Sequence, residues 1–141
     1  MPAMEAAVDP LGRTLELDAG DLRLVPAPDL PERRTLSELR GLPALSQALT
    51  LTLETQIGSD PLHVTFGFDV LAIGANPYGV RTRQEYLRLQ LVRALSGDRR
   101  VRQIRELAFS DLSADRRMTG TVLLETATAS EVSLGLEVPR A

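Results

Sequence analysis

The sequence of 141 residues predicts an α+β fold: an antiparallel sheet covered by two main helices and preceded by an N-terminal β-hairpin. Three observations predict this class. Apolar and polar residues alternate in segments near the C-terminus, which is the period of half-buried strands. Two central segments carry leucines at helical spacing. Two short alternating segments near the N-terminus flank a turn of Asp and Gly residues.

The N-terminal region predicts three consecutive parts. Residues 1–12 are rich in Ala, Pro and acidic residues and predict a flexible tail. Residues 13–32 predict a hairpin followed by a Pro-rich linker. Residues 33–141 then contain the two helices and the main sheet.

The predicted hairpin joins residues 14–17 to residues 22–25 through a turn at residues 18–21. Its apolar face consists of four leucines: Leu15, Leu17, Leu22 and Leu24. Three prolines then predict a linker without regular structure, because each removes a backbone donor. They are Pro26, Pro28 and Pro31.

The first helix is predicted over residues 42–57. Pro43 suits its first turn, where a missing N–H is no loss, and Gly58 is expected to end it as a left-handed cap. Its apolar stripe is Leu45, Leu49, Leu53 and Ile57. Residues 60–78 predict a long ordered loop with a short helical turn at residues 70–73.

The second helix is predicted to begin with a capping box of Thr82 and Glu85 and to end at Gly97. Its apolar stripe is Leu87, Leu91, Ala94 and Leu95. Three arginines, Arg83, Arg88 and Arg93, are expected to point away from that stripe.

Three strands complete the predicted fold, over residues 101–109, 119–128 and 132–138. Short turns join them, so the strands form an antiparallel meander. Their alternation implies one buried face, and the two helices are the natural cover.

Composition excludes several classes of protein. Hydrophobic residues make up 43% and charged residues 25%, which is typical of a globular chain and not of a disordered one. Cys is absent, which excludes disulfides and thiolate metal sites and fits a reducing compartment. No apolar run predicts a transmembrane helix, and the acidic N-terminus does not resemble a signal peptide.

Charge is distributed unevenly along the chain. The formal net charge is −3, and all sixteen basic residues other than His are Arg. Residues 81–117 contain ten Arg and five acids, whereas the rest contains six Arg and fourteen acids. This asymmetry predicts a basic face that can dock an acidic partner, or else a set of solvated surface positions.

The sequence predicts no catalytic, metal or cofactor residues. His63 is the only His, and Ser59 and Asp60 lie too near it in sequence to indicate a triad. Candidate carboxylate pairs for glycoside hydrolysis come from Glu54, Asp60, Asp69 and Glu85, and nothing distinguishes one pair. No phosphate-binding motif is present. Two alternatives stay open: a small, lysozyme-like hydrolase using Asp60, Asp69 or His63, and an Arg-dependent nucleic-acid adaptor.

Between residues 33 and 138 the chain resembles the baseplate wedge and sheath-initiator family of contractile phage tails, type VI secretion baseplates and extracellular contractile injection systems. The resemblance includes the helix at residues 42–57, the Gly58-Ser59 break and the Phe66-Gly67-Phe68 loop. A short family signature, Glu-Pro-Arg followed by Ile or Val, matches Asp98-Arg99-Arg100-Val101 except that Arg99 replaces the Pro.

The resemblance implies a structural protein, although family members have at times carried a lysozyme label. It implies sheath subunits, baseplate wedge proteins and tube or hub proteins as partners, no nucleic acid and no membrane. Several copies would be present in the baseplate, and the protein would be cytoplasmic during assembly. Asp98, Arg100 and Val101 would contribute to the contact with wedge subunits.

Family members start the first sheath ring by pairing strands with a sheath subunit, in which main-chain hydrogen bonds supply affinity. The strictly alternating last strand is the edge nominated here, with Val132, Leu134 and Leu136 as partner-binding residues. Pro at Leu134 or Leu136 is expected to block such pairing.

Overall fold

A computed structural model describes residues 9–75, 79–110 and 117–139 and confirms the α+β class. Most of the predicted tail lies outside these ranges, as does most of the turn between the first two strands of the main sheet. The elements, in chain order, are β1 (Arg13–Leu15), β2 (Leu17–Asp18), β3 (Asp21–Leu22), β4 (Leu24–Pro26), β5 (Arg34–Leu36), β6 (Glu38–Arg40), α1 (Leu42–Glu54), α2 (Val70–Gly74), α3 (Val80–Ser96), β7 (Val101–Phe109), β8 (Arg117–Thr126) and β9 (Glu131–Pro139).

Residues 13–40 form what we call the N-terminal module. It consists of three chain segments, β1–β2, β3–β4 and β5–β6, and each segment pairs with the other two. β1 pairs with β6, β2 with β3, and β4 with β5, all antiparallel. The backbones of Glu16, Arg23 and Ser37 close the centre with a ring of three hydrogen bonds of 2.8 to 3.0 Å. Ser37 and Arg23 also donate to the Glu16 carboxylate, and these bonds lower the pKa of Glu16.

This module differs from the predicted hairpin and linker. The turn between β2 and β3 is where it was predicted, but most of the pairing runs to residues 34–40, across the predicted boundary at residue 32. Pro26 is the last residue of β4 and does not interrupt a strand, because a strand end tolerates a missing donor. The predicted apolar face is not buried: Leu15, Leu22 and Leu24 are 42%, 46% and 56% exposed.

α1 ends three residues before the predicted end. Thr55 leaves the helical conformation, and the chain then forms a parallel bridge from Gln56 to Phe68. Phe68 donates to the Thr55 carbonyl at 2.8 Å, and Ile57 donates to the Phe68 carbonyl at 3.2 Å. Gly58 is left-handed as predicted but is not the helix cap, because the bridge replaces the last helical turn.

α3 begins two residues before the predicted capping box. Gly79 is its N-cap, and no side chain bonds to the cap, so the box of Thr82 and Glu85 is wrong. Thr82 already lies within the first turn, where its backbone is helical. Arg83 is also misplaced by the prediction: it is buried beside Leu87 on the same face of the helix. The predicted helical turn at residues 70–73 is confirmed as α2.

The main sheet has the order β7-β8-β9 and is antiparallel throughout, as predicted. Two register shifts interrupt the β7–β8 pairing, one between Val101 and Gln103 and one between Ile104 and Glu106. Each bulge adds a residue to β7, so two consecutive side chains face outward at each bulge. The β8–β9 pairing has no such shift.

The core lies between the inner face of the sheet and the three helices. It contains leucines of α1 and α3, Ile73 of α2, Phe68 of the loop and alternate residues of β8 and β9. Ile57, predicted to extend the α1 stripe, is only half-buried because α1 ends before it. In the ranges described above, no helix has the length and apolar content needed to cross a membrane.

Candidate functional site at the β9 edge and the Asp98 turn

The outer edge of β9 offers main-chain groups at every second residue. Thr126 donates its backbone N–H to the Ser130 carbonyl at 2.8 Å, so these opposed residues are a hydrogen-bonded pair. Bonded and non-bonded pairs alternate along an antiparallel ladder. The even-numbered residues of β9 therefore bond to β8, and the odd-numbered residues direct N–H and C=O groups outward. Among the strands described, none pairs with this outer edge.

The nominated β9 side chains face the core. Val132 and Leu134 are only 7% and 3% exposed, and Leu136 is partly buried against the same cluster. A partner strand would therefore meet this edge chiefly through main-chain groups. The expected effect of Pro at Leu134 or Leu136 needs correction, because those N–H groups belong to the β8 ladder. Ser133, Gly135 and Glu137 are among the positions at which Pro would remove an outward donor.

A groove of about 730 Å3 lies over β8 and β9, where Thr119–Thr121 and Gly135–Glu137 line it. Its walls include Thr50, Leu53 and Glu54 of α1, together with Val70 of α2. The groove therefore lies between the helices and the sheet.

Asp98 and Arg100 bind each other at the turn between α3 and β7. Arg100 donates from Nε to Asp98 Oδ1 at 2.9 Å and from Nη2 to Asp98 Oδ2 at 2.6 Å, and its backbone N–H also bonds to Oδ1. These hydrogen bonds hold the pKa of Asp98 below its usual 3.8 and raise that of Arg100. The Asp98 carboxylate is therefore engaged within the chain.

Arg100 also connects this turn to the N-terminal part of the chain. Its Nη1 donates to the Leu11 carbonyl at 3.1 Å, across 89 positions of sequence, and Leu11 is buried in the core. Val101 packs partly buried against the same cluster. The three residues predicted to contact wedge subunits thus first organise their own turn, and Arg99 is its exposed basic side chain.

A cleft of about 650 Å3 separates this turn from the loop after α1. Arg93 and Arg99 line it and form no ion pair in the part of the chain that the structure describes. Phe66 lines the opposite side and is 41% exposed. The cleft is therefore basic on one side and apolar on the other.

The sequence prediction missed a polar cluster on the outer face of the sheet. Glu125 is only 7% exposed there, because Gln103, Arg102 and Arg105 all donate to its carboxylate. These bonds, first that of Gln103 and then that of Arg105, lower the pKa of Glu125. The sequence contained one indication of this cluster, since Glu125 is the single acid of a largely apolar strand. Its partners could not be identified from the sequence, because the bulges in β7 determine which β7 side chains reach Glu125.

Replacing Glu125 by Ala is expected to lower the free energy of unfolding near neutral pH, because its charge-assisted hydrogen bonds are lost. The effect stays modest because Arg102 and Arg105 are 63% and 52% exposed and can be hydrated. The folded-state pKa of Glu125 is depressed, so its contribution is present above the ordinary value of 4.5 and is lost as the pH falls below it. Urea unfolding near neutral pH and below pH 4.5 measures the difference in unfolding free energy between wild type and the variant. Glu131→Ala, at the exposed residue opposite Glu125, is the control. Equal loss in both variants would contradict the assignment.

The candidate hydrolytic residues are dispersed or occupied. Asp60 and His63 contact each other at 3.2 Å on an exposed loop, and a hydrogen bond from the Leu62 backbone lowers the pKa of Asp60. Asp69 caps α2 by accepting from the backbone N–H of Ala72 at 3.1 Å. Within the described ranges, no three His, Cys, Asp or Glu side chains gather as a metal site would require.

No protein-family model matches the chain, and no curated protein matches it. A solved structure does match: a Geobacter sulfurreducens protein determined at 1.44 Å under the provisional description of a tail lysozyme. The match has a TM-score of 0.56 and 16% sequence identity and covers 68% of this chain and 87% of the other. At this identity the similarity establishes the fold and not an activity. The chain therefore shares its fold with a protein ascribed to a tail.

Proposed function

We propose that this protein is a structural component of the baseplate of a contractile tail or injection system, where it links wedge to tube and starts sheath assembly. The observation that carries the proposal is the outer edge of β9, whose outward main-chain groups pair with none of the strands that the structure describes. The fold shared with a protein ascribed to a tail supports the proposal that this protein belongs to a tail or a related particle.

The proposed mechanism is strand addition. An extended arm of a sheath subunit pairs with the outward groups of Ser133, Gly135 and Glu137, which extends the sheet by one strand. The buried residues of β9 hold the edge in register while the arm binds. Several copies around one tube make the total attachment strong even where each contact is weak.

The proposed wedge contact uses the turn at Asp98. Asp98 and Arg100 act as positioning residues, because the bonds between them fix the shape of the turn. The bond from Arg100 to the Leu11 carbonyl holds the turn against the N-terminal segment. Val101 anchors the following strand. A wedge subunit therefore meets a turn whose shape is already set, which lowers the entropy lost on binding.

We propose a structural role in preference to the hydrolase and the nucleic-acid adaptor. The exposed Asp60–His63 contact lacks the buried, oriented environment that tunes catalytic groups. A turnover by the purified protein that is lost in Asp60→Asn or His63→Ala would favour the hydrolase instead. Salt-sensitive binding of nucleic acid by the isolated protein would favour the adaptor.

Deletion of the coding sequence in the producing organism tests the role, and Ser133→Pro tests the edge. Both are expected to leave bare tubes or free polymerised sheath in negative-stain images, because sheath would lack its starting strand. Pro at Ser133 removes one outward N–H and leaves the β8 ladder donors in place. Thermal unfolding should show that Ser133→Pro is folded.

Two controls sharpen this experiment. Ser133→Ala keeps the backbone donor and should give normal sheathed particles. Glu137→Pro removes a second outward donor and should reproduce the defect. Normal particles from the deletion would refute the role, whereas normal particles from both folded Pro variants would refute the edge alone.

A further inference from the structure

The cleft beside the Asp98 turn has two walls that hydrogen bonds hold in place. On one side, the bonds between Asp98 and Arg100 set the shape of the turn, and Arg100 ties the turn to the Leu11 carbonyl. On the other side, the bridge from Gln56 to Phe68 fixes the end of the loop after α1. The cleft is therefore formed in the free chain, which lowers the cost of ordering it on binding.

The lining of the cleft carries an excess of positive charge. Asp98 binds Arg100 through both carboxylate oxygens, so the charges of these two residues cancel. Arg93 and Arg99 are exposed and form no ion pair among the residues that the structure describes. Two guanidinium groups in the lining of one cleft are thus left without a counter-ion there.

The acids nearest to the cleft along the chain are engaged elsewhere. Asp60 contacts His63 at 3.2 Å, and Asp69 accepts from the backbone N–H of Ala72 at 3.1 Å. Neither acid lines the cleft, and Glu54 of α1 lines the groove over β8 and β9 instead. Carboxylates from another molecule are therefore the expected counter-ions of the two arginines.

The loop wall of the cleft adds an apolar surface and neutral hydrogen-bonding groups. Phe66 is 41% exposed, although its backbone N–H is bonded to the His63 carbonyl at 2.9 Å and the adjacent loop is anchored by the bridge. Thr52, Thr65 and Gln90 also line the cleft. A large apolar side chain can pack on the Phe66 ring while guanidinium groups bind carboxylates beside it. A volume of about 650 Å3 suits a segment of several atoms better than a single ion.

We infer that the cleft binds an acidic peptide segment of a partner protein, with a large apolar side chain on Phe66 and carboxylates on Arg93 and Arg99. Nucleic acid is the poorer fit, because a phosphate backbone needs a longer row of cations and because the net charge of the chain is −3. The inference names the chemistry of the bound segment. Only the assignment of that segment to a wedge subunit, through the turn at Asp98, rests on the proposed function.

The experiment selects binders of the purified full chain from a displayed library of random peptides. The binders are expected to be enriched in Asp and Glu close to Phe, Leu or another large apolar residue. A labelled peptide of the most enriched sequence then serves as the probe, and fluorescence anisotropy measures its Kd. The double variant Arg93→Glu, Arg99→Glu should weaken binding about tenfold, and Phe66→Ala about fivefold. Added salt should weaken binding to wild type, because the paired charges are exposed.

A neutral form of the probe, in which Asn and Gln replace every Asp and Glu, tests the pairing of charges. It should bind wild type about tenfold more weakly than the acidic probe, and the double variant Arg93→Gln, Arg99→Gln should weaken it no further, because the interaction is already lost. Arg81→Glu and Leu71→Ala change exposed side chains outside the cleft and should bind the acidic probe as wild type does. Circular dichroism should show that every variant is folded.

Three results would overturn the inference. The selection could yield no acidic sequences. The acidic binders could bind wild type and the Arg93→Glu, Arg99→Glu variant equally, which would place the contact elsewhere. The chain could bind a single-stranded oligonucleotide and no acidic peptide, with that binding lost in the same variant, which would assign the cleft to nucleic acid. Failure of the proposed function has a separate readout, since normal sheathed particles after deletion of the coding sequence would not alter peptide binding by the purified chain.

Discussion

Replacing Gly67 by Ala is expected to lower the free energy of unfolding by about 3 kcal/mol. Gly67 has a φ of +113°, and an added Cβ would lie 2.5 Å from the Thr55 carbonyl oxygen and 3.0 Å from the Ile57 nitrogen. Both contacts are with backbone, so the chain must move. Chemical denaturation monitored by circular dichroism measures the loss.

Gly58→Ala is the matched control. Gly58 has a φ of +81°, but an added Cβ would meet nothing within 4 Å, so only the conformational cost of about 1 kcal/mol should appear. The difference between the two variants isolates the steric contact with the bridge between Gln56 and Phe68. Equal losses would mean that the loop relaxes freely around residue 67 and that the bridge does not constrain it.

Arg100→Ala is expected to lower the free energy of unfolding by about 2–3 kcal/mol, because it removes charge-assisted hydrogen bonds from a partly buried pair. The side chains of Arg100 and Asp98 are only 30% and 23% exposed. The variant also leaves the Leu11 carbonyl without its donor. Arg100→Lys should recover little, since an ammonium group cannot form the two-pronged contact. Arg99→Ala, at the exposed neighbour, should change stability little.

The effect of this pair should depend on pH in a defined direction. The folded-state pKa of Asp98 is depressed below 3.8, so the pair stabilises the protein above that pH and loses its contribution as the pH falls through the folded-state value. The difference in unfolding free energy between wild type and Asp98→Asn should therefore shrink in acid. A difference that stays constant from neutral to acidic pH would contradict the role assigned to the Asp98 charge.

Most of the fold after the N-terminal module was predictable, because the spacing of its apolar residues is regular. The α1 leucines Leu45, Leu49 and Leu53 are all buried, as their spacing indicates. β9 alternates strictly because it pairs with β8 without a bulge. The turn of residues 97–100 was also placed correctly between α3 and β7. In the helix and the strand, the apolar residues that the sequence pattern groups together are the residues that the fold buries.

The N-terminal module was not predictable in the same way. Leu22 and Leu24 alternate like an ordinary hairpin arm, yet β3 and β4 pair with different segments. The alternation also implied burial, whereas these leucines are exposed. Local pattern indicates which residues share a face, and it does not state which segment pairs with it or what covers it.

The candidate site was predictable only in part. The final strand was correctly recognised as alternating, but which of its N–H groups are outward depends on the phase of its pairing with β8. The Glu125 cluster was missed because two β7 bulges set the positions of Arg102 and Arg105. The mutual engagement of Asp98 and Arg100, and the contact with Leu11, required the tertiary structure.

The phase of β9 divides its residues into two sets that differ in what the fold requires of them. Val132 and Leu134 are buried, so smaller side chains at these positions would lower the free energy of unfolding. Ser133, Gly135 and Glu137 present generic amide groups, and an incoming strand would read little of their identity. Under the proposed strand addition, these positions can vary in sequence without loss of the main-chain contacts, as long as none becomes Pro.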